Sequence, residues 1–203
     1  MEVVKFESKN KDEALNKCLE KLNVNLSEVY YYIEEGEPGL FGKVKYTSWV
    51  VTKYDVKNYV KDFLNDLAYN MNTKFDLEIN ENDGVITCII VCDDSNVIIG
   101  KEGRCLNAIQ SVLRQSLRKY GRFDIKVNLD IAGYKEKRQR NIEREVKKLA
   151  KEVLSSGVSV KLDPMNSFER RIVHNAISEF DGLFTRSEGE APNRYVVIMI
   201  KED

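Results

Sequence analysis

Histidine and tryptophan each occur once among the 203 residues and proline three times. A lone His174 cannot furnish a histidine metal cluster. No G-x-S-x-G, H-E-x-x-H or G-x-x-x-x-G-K-S/T pattern stands beside it to mark a nucleophile, a zinc site or a nucleotide loop. A hydrolase or nuclease built on His174 would also need paired carboxylates or a ligand cluster, so no catalytic residue, metal or other cofactor is expected. The cysteines, Cys18, Cys88, Cys92 and Cys105, include no C-x-x-C pair, which argues against a zinc ribbon or disulfide framework and makes them small core hydrophobes. No apolar run approaches the roughly 18 residues of a membrane span. The opening MEVVKFESKNKDEALNK lacks the cationic-then-apolar order of a secretory signal, and the expectation is a cytoplasmic protein. An excess of one charge is missing too: 32 basic residues face 33 acidic ones, for a net charge of -1. A protein that coats nucleic acid indiscriminately would show a domain pI above about 9. Any anion site must be local.

What is present is soluble globular material, 42% hydrophobic and 32% charged, with periodicities that predict an α+β chain of three small domains. In residues 1–53, a strand at Val3–Glu7, a helix carrying Ala14, Leu15, Cys18, Leu19 and Leu22, and strands at Val29–Glu34 and Val44–Thr52 make a βαββ unit. Its turn, EGEPGLFG, holds Leu40 and Phe41, which either fold back onto the small sheet or form an apolar contact for a partner. In residues 54–132 the order is αββααβ: a helix from Val56 to Leu67, alternation at Phe75, Leu77 and Ile79, an Asn82-Asp83-Gly84 hairpin turn, a strand at Val85–Val91, helices carrying Leu106 to Leu117, and a strand from Ile125 to Ile131. In residues 133–203, a charge-rich helix precedes a strand at Val158–Leu162. Asp163-Pro164 reads as the cap and first position of a helix running from Met165 to Phe180, with Met165, Phe168, Ile172, Ala176 and Phe180 packed on a sheet of Leu183–Ser187 and Tyr195–Ile200.

Two stretches carry chemistry. In VIIGKEGRC, Gly100 and Gly103 bracket Lys101 and Glu102, with Ile99 before and Arg104 after. Glycines permit a close backbone approach, and a loop ending at a helix amino terminus aims free amides at an anion, which suits phosphate. Val97, Ile98 and Ile99 would wall an apolar groove for bases. From Gly100 to Arg122, Glu102 is the only acid against Lys101, Arg104, Arg114, Arg118, Lys119 and Arg122. The αββααβ order with this loop resembles the bacterial K-homology (KH) domain of type II, whose loop clamps a single-stranded backbone. Farther on, Arg170 and His174 lie four apart with Arg171 beside them, and TRSEGEAPNR supplies Ser187, Gly189 and Arg194. Together these resemble the R-three-H domain, named for Arg-x-x-x-His and known to bind single-stranded nucleic acid. The resemblance implies Arg170 and His174 as the motif pair, with Arg171, Arg186 and Arg194 as phosphate contacts.

A small domain with a G-x-P-G-L-F-G turn, then a KH domain, then an R-three-H domain resembles the bacterial Jag family, also called KhpB or EloR, over nearly the whole chain. The resemblance implies a non-catalytic RNA chaperone or post-transcriptional regulator linked to cell elongation, cell shape and peptidoglycan homeostasis. Its partners would be single-stranded RNA or DNA, a stand-alone KH protein (KhpA), a second copy of the chain, and membrane-associated elongation machinery through the first domain. An interaction scaffold, with nucleic acid incidental, is the alternative.

Overall fold

The computed structural model describes residues 1–37 and 44–201; Leu40 and Phe41 lie outside the described residues. The chain divides into two compact units, Met1–Ala132 and Gly133–Asp203.

The first unit opens with β1 (Val4–Ser8), α1 (Lys11–Leu22), β2 (Val29–Glu35) and β3 (Tyr46–Thr52), forming an antiparallel sheet in the order β1-β3-β2. Asn10 starts α1 by accepting from the Asp12 amide at 2.8 Å, and Asn23, at φ 52°, ends it in the left-handed region. The buried Leu15 and Cys18 pack against Val4, Val29 and Val50. β3 runs directly into α2 (Lys53–Asn70), with the Thr52 hydroxyl accepting from the Asp55 amide at 2.9 Å. Val56, Val60, Leu64 and Ala68 form the buried stripe of α2.

β4 (Asp76–Asn82) and β5 (Val85–Val91) follow as a hairpin. Its turn residues, Asp83 and Gly84, both have positive φ, as the twist of a tight hairpin demands. β6 (Lys126–Ile131) lies parallel to β5, which requires a crossover, and α3 (Ser95–Ile99) and α4 (Arg104–Arg118) supply it. The side-chain oxygen of Gln110 accepts from the Leu129 amide at 2.9 Å, and Arg114 donates Nε and Nη2 to the Val127 carbonyl at 2.9 and 2.6 Å. Side chains of α4 thereby take up backbone groups on β6, an edge strand whose open groups would otherwise invite pairing with another chain.

Both sheets of this unit belong to one compact body, so position 53 marks a change of sheet rather than a linker. Tyr32 stacks on Trp49 and meets Phe123 edge-on at 5.2 Å. Glu81, largely buried, pairs with Lys53 at 2.7 Å and Lys57 at 3.6 Å. Burial pushes the Glu81 carboxyl up, but the two lysines outweigh it and hold the group below its ordinary value.

The second unit contains α5 (Tyr134–Ser156), β7 (Val160–Lys161), α6 (Ser167–Ile177), β8 (Leu183–Glu188) and β9 (Tyr195–Ile200), with sheet order β7-β9-β8. Its core joins Ile142, Val146, Ala150 and Val153 of α5 to Val173 and Ile177 of α6 and to Val196 and Ile198 of β9. Two expectations fail here. The cap of α6 is Asn166, not Asp163, because Asn166 accepts from the Phe168 and Glu169 amides while the Glu169 carboxylate reaches back to the Asn166 amide at 3.2 Å. Phe168 is 57% exposed instead of packed on the sheet, since the buried stripe runs through Glu169, Ile172, Val173, Ala176 and Ile177.

Candidate nucleic-acid interface

The first candidate surface is built from backbone. α3 ends at Ile99, which is half-buried, and Gly100 follows at φ 68°, ψ 178°, a region open essentially to glycine alone. A Cβ on Gly100 would stand 2.8 Å from Cys105 Cβ, so the missing side chain is what lets the loop close against the first turn of α4. Glu102 at φ 55° and the buried Gly103 at φ 75° complete the reversal, with the Gly103 amide donating to the Gly100 carbonyl at 3.2 Å. Lys101 is exposed at the crest of the bend. The amide of Arg104, the first residue of α4, donates to the Lys101 carbonyl and closes the bend, and the helix dipole adds positive potential there.

Glu102 does not act as an isolated carboxylate. Its Oε2 accepts from Arg104 Nη2 at 3.2 Å, so the acid and this arginine offset each other and, among the described residues, Lys101 remains as the loop's uncommitted charge. The other cations do not gather around the loop. Arg114 is spent on the Val127 carbonyl, Arg122 pairs with Glu34 at 3.7 Å, and Arg118 and Lys119 stand at the far end of α4. The fifteen-residue helix separates its ends by about 21 Å at about 1.5 Å per residue. The expected local patch is therefore a short loop site plus scattered charge. Of the expected apolar wall, Ile98 is buried in the core and unavailable, while Val97 is exposed and Ile99 half-buried.

The second candidate surface is built from side chains at the start of α6. Arg170 Nη1 donates to the Met165 carbonyl at 3.0 Å, while the Met165 amide donates to the Arg194 carbonyl at 3.0 Å, which brings both arginines to one short segment. Arg171 and Arg194 are exposed. His174 lies between helix and sheet: Nδ1 is 2.6 Å from Thr185 Oγ1 and Nε2 is 2.9 Å from Ser187 Oγ. With both ring nitrogens engaged, the imidazole works as a strut between α6 and β8. Burial first, then the charge of Arg170, holds it below the ordinary histidine value and so in the neutral form. Arg186 does not join this group. Side chains alternate along a strand, so a residue between Thr185 and Ser187 points to the opposite face of the sheet.

Sequence reasoning missed the groups that hold this surface in place. Glu169, almost fully buried, accepts from Arg138 Nε at 2.9 Å while it closes the cap of α6. The Asn166-x-x-Glu169 spacing is itself a capping-box signal and could have located both the cap and the buried acid. Thr185 and Ser187, two apart on a strand, carried the further signal of two hydroxyls on one face.

Comparison with known proteins finds a domain around each surface. Residues 57–131 match the KH domain of KhpA and KhpB, and residues 140–199 match the R-three-H domain. Both are non-catalytic nucleic-acid-binding modules. The chain is 31% identical to RNA-binding protein KhpB of Clostridium symbiosum, an alignment covering 100% of this chain and 94% of that protein. It is 32% identical to RNA-binding protein KhpB of Bacillus subtilis over 95% of this chain and 96% of the relative. With RNA-binding protein KhpB of Streptococcus pneumoniae the identity is 35% over 73% of this chain and 46% of the relative. The chain belongs to the KhpB family. Among the described residues no helix is long and apolar enough to cross a membrane, and no cluster of side chains could hold a metal ion.

Proposed function

We propose that this chain binds single-stranded RNA without catalysis, holding the phosphate backbone at the Gly100–Gly103 loop and again at the arginines around the start of α6. One observation carries the reading: Gly100, Glu102 and Gly103 are all at positive φ, which folds the loop tightly onto the amino terminus of α4 with Lys101 exposed at its crest. Arg171 and Arg194 are the direct phosphate contacts at α6, Arg170 contacts from a position braced on Met165, and His174 sets the spacing between helix and sheet. The names of the family relatives support RNA as the ligand. The working division is a first domain at 1–53, a KH domain at 54–132 and an R-three-H domain at 133–203. In this reading the chain acts in the cytoplasm as an RNA chaperone or post-transcriptional regulator affecting cell elongation and wall synthesis, together with a stand-alone KH protein. A gel shift with single-stranded RNA tests the binding step. The wild-type chain forms a salt-sensitive complex, and a chain with Lys101→Asp and Glu102→Asp folds but does not; equal binding by the two removes the loop from the site.

A further inference from the structure

The outer face of the β7-β9-β8 sheet is explained by neither the loop nor the His174 strut. Its inner face is closed by α5 and α6 over Leu183, Val196 and Ile198. The alternate positions point away from that core: Phe184, Arg186 and Glu188 on β8, Tyr195 and Val197 on β9, and Lys161 on β7. Strand register places Arg186 and Lys161 on either side of Val197, with Glu188 opposite Tyr195. Phe184 is 41% exposed although a whole apolar core lies on the other side of its own sheet.

The charges on this face have a consistent layout. Lys161 Nζ lies 3.9 Å from the Tyr195 ring centroid, and the Tyr195 hydroxyl donates to Glu188 at 3.4 Å. Arg186 Nε is 3.9 Å from Glu188, which leaves 73% of the Arg186 side chain exposed and these strand positions with two cations to one acid. Phe184 and Tyr195 are about four residues apart along the strand direction, or about 14 Å at about 3.4 Å per residue. An open ring, Phe184, with cations along the strand direction beyond it supplies the elements by which single strands are held, a base on the ring and phosphates on the charges. An apolar protein surface laid here would strip water from Arg186 and Lys161 without pairing them, whereas a phosphate backbone supplies the missing charge.

We propose that this outer sheet face is a third contact surface for single-stranded RNA, with Phe184 stacking a base, Arg186 holding a phosphate beside it and Lys161, seated on the Tyr195 ring, holding the next. The proposal rests on the RNA-binding reading above and uses neither the 100–104 loop nor His174. Fluorescence anisotropy with the full chain and a single-stranded RNA of about 15 nucleotides, comparing wild type, Phe184→Ser and Arg186→Gln, tests it. Phe184→Ser is expected to weaken binding about tenfold, the effect of losing one stacked base. Arg186→Gln is expected to reduce the slope of log affinity against log salt by about 0.7, the loss of one phosphate contact. Circular dichroism checks that each variant folds. Wild-type binding unchanged by either folded variant overturns this surface while leaving the loop site standing, and no wild-type binding overturns both. Loss of a ribonuclease-resistant protein complex with RNA affinity unchanged reassigns the face to a protein partner and overturns the proposal as well.

Discussion

The two proposed phosphate-binding surfaces, the loop at Gly100–Gly103 and the start of α6, are built in opposite ways. In the loop the backbone makes the shape: three of its four residues adopt positive φ and, among the described residues, Lys101 is the uncommitted charge. At α6 the backbone is ordinary helix, and side chains make the site through a chain of positions, from Arg138 to Glu169 to the Asn166 cap and from His174 to Thr185 and Ser187. The contrast shows that the letters of a binding motif do different physical work. Glycines permit a shape, a histidine ties a helix to a strand, and exposed arginines are left for the proposed phosphate contacts.

The largest expected effect comes from putting carboxylates at the crest of the loop. The Lys101→Asp, Glu102→Asp chain should lose detectable single-strand binding in a filter assay while its circular dichroism stays native; retained binding would mean that the loop and α6 are not equivalent partners. A second substitution probes the backbone alone. Gly100→Val places a Cβ in contact with Cys105 at a φ that side chains avoid, so chemical denaturation should show the first unit weakened by about 1–3 kcal/mol. An unchanged midpoint would show that the loop relaxes without its glycine.

At α6 the corresponding change is His174→Ala, which leaves the Thr185 and Ser187 hydroxyls without their partner and should weaken the second unit by about 1–3 kcal/mol. His174→Gln, able to keep one hydrogen bond, should recover part of that loss. If the histidine contacted RNA without bracing the helix, both variants would instead melt like wild type and lose affinity.

Acid separates the two units by the groups they bury. His174 is neutral in the fold and its value is depressed, so its contribution is complete above about pH 6.5, the ordinary histidine value, and declines as pH falls below it. Glu81 is also depressed, so its contribution persists until about pH 4.3 and is lost below that, as the carboxylate is protonated away from Lys53 and Lys57. Amide exchange measured at successive pH values should therefore show the second unit loosening first, and His174→Gln should remove that earlier step. Simultaneous loosening would deny the histidine its role.

The smallest effects distinguish the arginines. Arg171→Gln should lower the salt slope by about 0.7, the value for one phosphate contact on a single strand. Arg170→Gln should flatten the slope too and, because Arg170 also holds the Met165 carbonyl, should add a loss of thermal stability that Arg171→Gln lacks.

Much of this was legible in the sequence. The element orders βαββ and αββααβ followed from periodicity, and the loop and the Arg170-His174 pair were visible as motifs. What escaped was decided by competition between neighbouring signals or by contacts distant in sequence. Asp163-Pro164 imitates a helix start, yet Asn166 wins because Glu169 completes its capping box and is anchored by Arg138 from α5. That same anchoring brings a charged residue to the buried side and leaves Phe168 exposed. The basic residues from Lys101 to Arg122 read as one patch in sequence because a single acid interrupts them, but helix length and the pairing of Arg114 with β6 disperse them.

Ultraviolet cross-linking of single-stranded RNA to the intact chain, followed by mapping of the attached peptides, tests the two-surface claim most directly. Cross-links should fall in two sets, one within 97–110 and one within 165–194. Cross-links confined to other segments, or none at all under low salt, would contradict it.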